Sequence, residues 1–375
     1  MIYNQSVFDP WPIERESVQA VITSPPYYAL RKYDIPDVII GGDKDCQHMW
    51  VSHEKKPAGG SGKNSNVGGN QDEFSNMRDG SYFSNSCIHC NAWKGQYGLE
   101  PTPLMYVEHS LLWAKEAWRV LRNDGIFFLN IGDSWNSTAV GTFNGGGKEF
   151  IGRDMSGISS IKTKKLIKGI KPKCQLLIPH RVAIALVDSG WTLRNSIIWH
   201  KPNAMPESVT DRFSKKYEYI FMFTKQERYY FDLDAIREPI SENSIKRVNS
   251  FINNNEKFDN QKHKHAEFNC QSGMQVLENA INGEWLNKGK NPGDVWIIPT
   301  QPSSEKHYAM WPEKLVERMI KCSTKAGDTV LDPFCGSGST LKVAEQLSRK
   351  GIGIDLGYHE ISKRRTSKIQ KELFV

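Results

Sequence analysis

One stretch constrains the fold more than any other. Thr329-Val330-Leu331-Asp332 reads as a buried strand. Pro333-Phe334-Cys335-Gly336-Ser337-Gly338-Ser339-Thr340 then reads as a Gly-rich turn into a helix facing inward with Leu341, Ala344 and Leu347, and Gly351-Ile352-Gly353-Ile354-Asp355 as a second strand. Two strands joined through a helix pair in parallel, which demands a sheet covered on both faces. Glycines at the turn let backbone approach a ligand closely, and the helix N-terminus offers free N–H groups to an anion. Asp355 lies roughly twenty residues after Asp332, the separation at which such a unit sets a carboxylate on ribose hydroxyls. The Gly-x-Gly turn alone says little, since it lacks a third glycine and a phosphate-binding lysine; with the terminal Asp355 it reads as a nucleoside-binding unit, structural coincidence being the plainer alternative.

A second constraint sits at the other end of the chain. The apolar run Ala20-Val21-Ile22 stops at Thr23-Ser24-Pro25-Pro26-Tyr27-Tyr28. This reads as a short buried strand ending in a stiff loop, since each proline fixes its own φ and keeps the preceding residue extended. Such an edge can aim a hydroxyl and carbonyls at a planar ligand while Tyr27 or Tyr28 stacks on its face. The same six residues also fit an ordinary Pro-rich turn.

Between these stretches, Tyr106 onward reads as a helix with Val107, Leu111, Leu112, Ala114, Trp118 and Leu121 inward, ended by Asn123-Asp124-Gly125, and Ile126–Ile131 as a buried strand. Pro179–Ser189 reads as a helix with Val182, Ala183, Ala185, Leu186 and Val187 inward. Strands follow at 191–199, 217–223 and 294–299, and Pro312 opens a helix burying Leu315, Val316, Met319 and Ile320. Residues 41–98 lose this periodicity and read as an insertion. It holds Cys46, His48, Cys87 and Cys90, enough to close a tetrahedral zinc site that would supply folding energy to a segment without its own core. Scattered solvated residues would give the same spacings. The seven cysteines, an odd number without a secretory signal, argue against a disulfide framework.

The formal net charge of +7 is small, but Lys162, Lys164, Lys165, Lys168, Lys171 and Lys173 cluster without an acid among them. A basic loop of this kind suits a phosphate backbone, a solvated charged loop being the plainer reading. No apolar run is long enough to span a bilayer, and the N-terminal residues lack a signal-peptide pattern, so a cytoplasmic protein without a membrane partner is expected.

Taken together, Thr23-Ser24-Pro25-Pro26-Tyr27 and Asp332-Pro333-Phe334-Cys335-Gly336-Ser337-Gly338-Ser339-Thr340 resemble the S-adenosylmethionine-dependent DNA amino methyltransferases, in the permuted (β) order where the catalytic loop precedes the cofactor loop. Lys201-Pro202-Asn203, Met205-Pro206-Glu207-Ser208 and Asp211-Arg212 are similar to the eighth motif of that group, and His307 to Pro312 to its tenth. The Cys/His insert, continuing through Asn91-Ala92-Trp93-Lys94-Gly95-Gln96-Tyr97-Gly98-Leu99-Glu100-Pro101, resembles a zinc-holding insert of a bacterial and phage-borne branch.

The resemblance implies an α/β fold, a Rossmann-like, mostly parallel twisted sheet with helices on both faces. Residues 1–40 and 99–236 would form the catalytic half, 41–98 a zinc-type insertion, 237–290 a target-recognition region and 291–375 the cofactor-binding half. Ser24 and the Pro25 carbonyl would accept from the exocyclic amine of a flipped base, with Pro26 stiffening the loop and Tyr27 stacking on the base. Thr23, Asp332, Phe334, Gly336, Gly338, Thr340, Asp355, His307, Ala309 and Trp311 would bind S-adenosylmethionine. Lys164, Lys165, Lys168, Lys201, Asn203 and Arg212 would meet double-stranded DNA. The resemblance also leaves room for a companion restriction endonuclease, and for a monomer or a homodimer. Cytosine-5 chemistry needs an attacking thiolate on a Pro-Cys pair, and Cys335 instead follows Phe334. Serine at position 24 favours cytosine N4 over adenine N6. Transfer to RNA or to a protein amide, and a non-catalytic zinc-stabilised DNA-binding protein, are the competing readings.

Overall fold

The computed structural model describes residues 1–51, 85–137, 166–243, 245–246, 288–301 and 311–366. In chain order its elements are β1 (Ile2–Asn4), β2 (Val18–Thr23), β3 (Val38–Ile40), β4 (Trp93–Gly95), α1 (Pro103–Val120), β5 (Leu121–Ile131), α2 (Ile178–Asp188), β6 (Thr192–His200), β7 (Tyr217–Thr224), β8 (Val295–Ile297), α3 (Glu313–Ser323), β9 (Thr329–Asp332), α4 (Ser339–Gln346), β10 (Lys350–Asp355) and α5 (His359–Thr366). Eight strands form one sheet in the order β1-β10-β9-β2-β5-β7-β6-β8, and β3 pairs with β4 apart from it. Only β7 runs against the others in that sheet. The order puts β9 and β2, about three hundred residues apart in sequence, side by side, with Ala20 opposite Val330 and Val21 opposite Leu331.

Strand residues alternate between two cores, as a sheet covered on both faces requires. Val21, Phe127, Leu129, Phe221 and Leu331 pack with α1 and α2, whereas Ala20, Ile22, Ile126, Phe128, Ile220 and Val330 pack with α3 and α4. This is the doubly wound layout expected from the sequence. Helix α3 buries Leu315, Val316, Met319 and Ile320 completely, as the periodicity predicts.

Three readings need correction. In α1 the buried stripe runs through Tyr106, Ser110, Trp113 and Ala117, while Leu112 is 43% exposed. Val107 and Ala114 are buried as expected and Leu111 and Trp118 pack partly against the core, but hydropathy left out Tyr106 and Ser110, whose buried polar tips have partners inside. Leu121 opens β5 rather than closing the helix, and Asn123-Asp124-Gly125 lie within β5 beside a register shift against β2. In α2, Val187 faces solvent.

The interruptions leave and return at neighbouring points of the frame. Val51 and Asn85–Ser86 exchange backbone hydrogen bonds, Asn136 binds both Ile167 and Cys174, and Glu238 pairs with Lys290. Most of the expected target-recognition region lies outside the described residues.

Candidate active site

The carboxyl ends of β2, β9 and β10 open into a cavity of about 1120 Å³. One side is lined by Ser24, Pro25, Pro26 and Tyr27, the other by Asp332, Phe334, Gly336, Thr340 and Asp355, and Trp311 also lines it. The two loops singled out in the sequence therefore share one crevice.

On the first side, side chains bind side chains. The Ser24 hydroxyl lies 3.2 Å from the Tyr27 hydroxyl and 3.3 Å from Asn130 Oδ1. The Tyr27 hydroxyl in turn is 2.8 Å from both Asn130 Oδ1 and Glu218 Oε2, so its single proton can serve either. Asn130 donates to the Tyr219 carbonyl at 2.9 Å, and Lys201 donates to Glu218 while its ammonium stands 4.2 Å over the Trp199 ring. Burial, and then the Glu218 carboxylate, push the Tyr27 phenol well above its ordinary value. Burial alone would raise Glu218, but Lys201 and the Tyr27 hydroxyl hold its carboxyl below the usual range. The loop itself is bolted down by Tyr106, whose hydroxyl donates to the Pro26 carbonyl at 2.9 Å. The Tyr27 ring lies against Gly132, where an added Cβ would come within 2.5 Å of it.

On the second side, backbone amides and hydroxyls bind two carboxylates. Asp332 accepts from Thr23 Oγ1 and Thr340 Oγ1, each at 2.7 Å, and from the Phe334 amide at 3.1 Å. Burial pushes its carboxyl up to about 6. Asp355 accepts from the amides of Gly336 (2.9 Å), Gly357 (2.8 Å) and Tyr358 (2.5 Å), and burial raises it as well. Gly338 has φ +78°, and a Cβ there would fall 2.2 Å from Ser362 Oγ, so this turn accepts glycine alone. Cys335 is buried and its thiol pushed well up by that burial, the opposite of an activated nucleophile.

Tyr97, just beyond β4, joins the two sides. Its ring stacks at 4.9 Å on Tyr106, with an interplanar angle of 6°, and at 5.7 Å on Phe334. Its hydroxyl meets Ser110 at 2.7 Å and accepts from Trp113 Nε1 at 3.1 Å. The adjoining Gly98 carbonyl accepts from the Ala29 amide at 2.6 Å, and the Gly98 amide donates to buried Glu100, itself held by His109 at 3.0 Å.

The insertion brings the ligand atoms of Cys46, His48, Cys87 and Cys90 within 4.8 Å of one another. Cys46 and Cys87 sulfurs are 3.8 Å apart and Cys90 sulfur is 3.4 Å from His48 Nδ1. Tetrahedral bonds of about 2.3 Å to sulfur and 2.0–2.1 Å to nitrogen put neighbouring ligands at roughly such separations. Three thiols and an imidazole form a donor set that fits zinc.

The structure gives other sequence-predicted residues internal partners. Asn203 exchanges hydrogen bonds with Thr300, Arg212 pairs with Glu207 and lies 3.8 Å from the Trp135 ring, and Lys201 holds Glu218. Thr23 is fully buried, its hydroxyl on Asp332. Lys168 is exposed. Lys164, Lys165, His307 and Ala309 lie outside the described residues. Sequence reasoning missed Asn130, Glu218 and Tyr97. The first two carried a signal, a lone polar residue inside the apolar runs Phe127-Phe128-Leu129-Asn130-Ile131 and Tyr217-Glu218-Tyr219-Ile220.

A doubly wound sheet with a proline-stiffened loop facing a glycine-rich loop across one crevice is the layout of a Rossmann-like methyltransferase. Residues 18–364 match the N6_N4_Mtase family, described as DNA methylase, and the chain belongs to that family. It is 34% identical over 272 residues to the type II methyltransferase M.Cfr9I of Citrobacter freundii, covering 72% of this chain and 74% of that protein. It is 31% identical over 275 residues to M.SmaI of Serratia marcescens, covering 72% and 77%. The PvuII DNA methyltransferase (cytosine-N4-specific) has a similar fold, with a TM-score of 0.52 at 18% identity over 100% of this chain and 87% of that one. The chain is thus a DNA methyltransferase. No helix among the described residues is long and apolar enough to cross a membrane.

Proposed function

We propose that the enzyme methylates the exocyclic amine of a base flipped out of duplex DNA, at cytosine N4. The observation that carries this reading is the polar cluster in which Tyr27 links Ser24, Asn130 and Glu218, centred on a proline-fixed loop that shares one cavity with the glycine-rich loop. When bound, S-adenosylmethionine would supply an electrophilic methyl to the amine nitrogen, its sulfur leaving as a neutral thioether and the methylated amine giving one proton to water. Ser24 and the Pro25 carbonyl accept from the amine and aim its lone pair, and the loop's stiffness fixes that aim. Tyr27, tied at its hydroxyl and backed by Gly132, presents a fixed ring to the base. Phe334, Gly336, Gly338 and Asp355 hold the cofactor, while Asp332 acts by fastening Thr23 and Thr340. Serine at position 24 favours cytosine.

Sequencing DNA from cells that express the protein tests the base and its context together. N4-methylcytosine at a fixed site is expected, and N6-methyladenine would reassign the target. With labelled cofactor, Ser24→Ala should lower transfer at least about 100-fold while cofactor affinity stays within about threefold. Undiminished labelling would refute the assigned pocket.

The insertion is read as a structural zinc site held by Cys46, His48, Cys87 and Cys90. Metal analysis of protein purified without chelator should give about one zinc per chain, and none would remove the reading. The type II relatives support a companion restriction endonuclease in the same system.

A further inference from the structure

Phe213 is 98% exposed, more than any other large apolar side chain among the described residues. An aromatic ring left wholly in water gives the fold nothing, yet the backbone that carries it is firmly anchored. Asp211 is ion-paired with Lys173 at 2.5 Å. Arg212 donates to Glu207 at 2.6 Å and to the Phe213 carbonyl at 3.1 Å, with its guanidinium 3.8 Å over Trp135. Beyond it, the Lys216 carbonyl accepts from the Lys201 amide at 2.8 Å.

The position is also specific. Glue to the cavity comes from both sides of Phe213 in sequence, because Glu207 before it and Lys215 after it line the crevice. The exposed Lys173–Asp211 pair brings the described end of the lysine-rich stretch to this segment, and Lys216, three residues after Phe213, is exposed. A bare aromatic ring on a segment that lines the cavity at Glu207 and Lys215, with the exposed Lys216 three residues on, is matched to a polyanion that also offers stacked rings.

We propose that Phe213 enters the duplex beside the target and occupies the stacking place the flipped base vacates. The proposal rests on the base-flipping reading above. Unstacking is the costly part of extruding a base, and an apolar wedge held by a stiff segment offsets it by replacing lost stacking with its own. The fold would not need the ring, but flipping would.

The test compares single-turnover methylation by the full chain on two duplexes carrying the sequence found by methylation sequencing. One is fully paired and the other is mismatched at the target base, hence already unstacked. Phe213→Ala should be about 10- to 100-fold slower than wild type on the paired duplex and within about threefold on the mismatched one. Phe213→Trp should stay within about threefold on both. Thermal stability and cofactor affinity should not change, since the ring is exposed. Equal slowing on both duplexes, or none on either, would overturn the wedge. A wild-type enzyme that methylates neither duplex would instead overturn the underlying function.

Discussion

The two loops of the crevice are built by opposite means. The loop after β2 is stiffened by Pro25 and Pro26, and its polar contacts run between side chains from β5, β7 and the loop itself. The loop after β9 is freed by glycine, and its contacts are amides and hydroxyls converging on Asp332 and Asp355. The difference fits the tasks proposed for the two loops. A base must be selected by shape and oriented to a fraction of an ångström, which calls for side chains whose rotamers are locked. A nucleoside cofactor must be approached closely by main chain, which calls for missing Cβ atoms and fixed carboxylates. Damage to one side should therefore leave the other working, unless it strikes the residue that joins them.

The largest effect should come from Glu218→Ala. Side-chain exposures of 17% for Glu218 and 18% for Lys201 leave little water to replace the lost partner. Removing one member of a buried pair costs about 3–5 kcal/mol. Tyr27 also loses an acceptor, so methyl transfer should fall at least about 100-fold, while calorimetry with S-adenosylmethionine stays within about threefold. Glu218→Gln should recover much of the stability by keeping a hydrogen bond to Tyr27. A parallel loss of cofactor affinity in Glu218→Ala would break the separation of the two sides.

The cofactor side predicts an effect of opposite sign. Asp332 titrates near 6 in the folded chain against an ordinary 3.8, because burial penalises its charge. Between those values the folded state holds the proton more tightly, so stability present below about pH 3.8 is lost as pH rises through about 6. Two pKa units correspond to about 3 kcal/mol, an upper bound for one buried group. Asp332→Asn keeps the shape without the charge, and its melting temperature at pH 7.5 should exceed wild type, with a flatter profile between pH 4 and 6. An unchanged pH profile would show that Asp332 is ionised without penalty.

How much of this could be read from the chain depended on whether a residue's partner was near in sequence. Thr329–Asp332, the helix after Pro312 and the two loops were legible because periodicity, proline and glycine act locally. The face of α1 was only partly legible: Val107 and Ala114 are buried as expected, whereas Ser110, His109 and Tyr106 are buried by partners that hydropathy cannot see, namely Tyr97, Glu100 and the Pro26 carbonyl. Asn130 and Glu218 were visible as polar residues out of place in apolar strands, yet their meeting with Tyr27 required the antiparallel pairing of β5 with β7, which no local pattern encodes. The expectation that Lys201 and Arg212 meet DNA did not include their acid partners, Glu218 and Glu207, which only the fold brings beside them.

The smallest effect probes the joint itself. Tyr97→Phe keeps the ring between Tyr106 and Phe334 and removes only the hydroxyl. Ser110 retains its bond to the Tyr106 carbonyl, so the main loss is the acceptor of Trp113 Nε1, about 1–2 kcal/mol of stability. Cofactor affinity and methyl transfer should both stay within about threefold. Tyr97→Leu removes the stacking surface, and both quantities should then fall together by about tenfold, because Tyr106 carries the Pro26 carbonyl on one side and Phe334 carries the glycine turn on the other. If Tyr97→Leu slows transfer but leaves cofactor affinity intact, the ring supports the base side alone, and the two loops are joined only through Thr23 and Asp332.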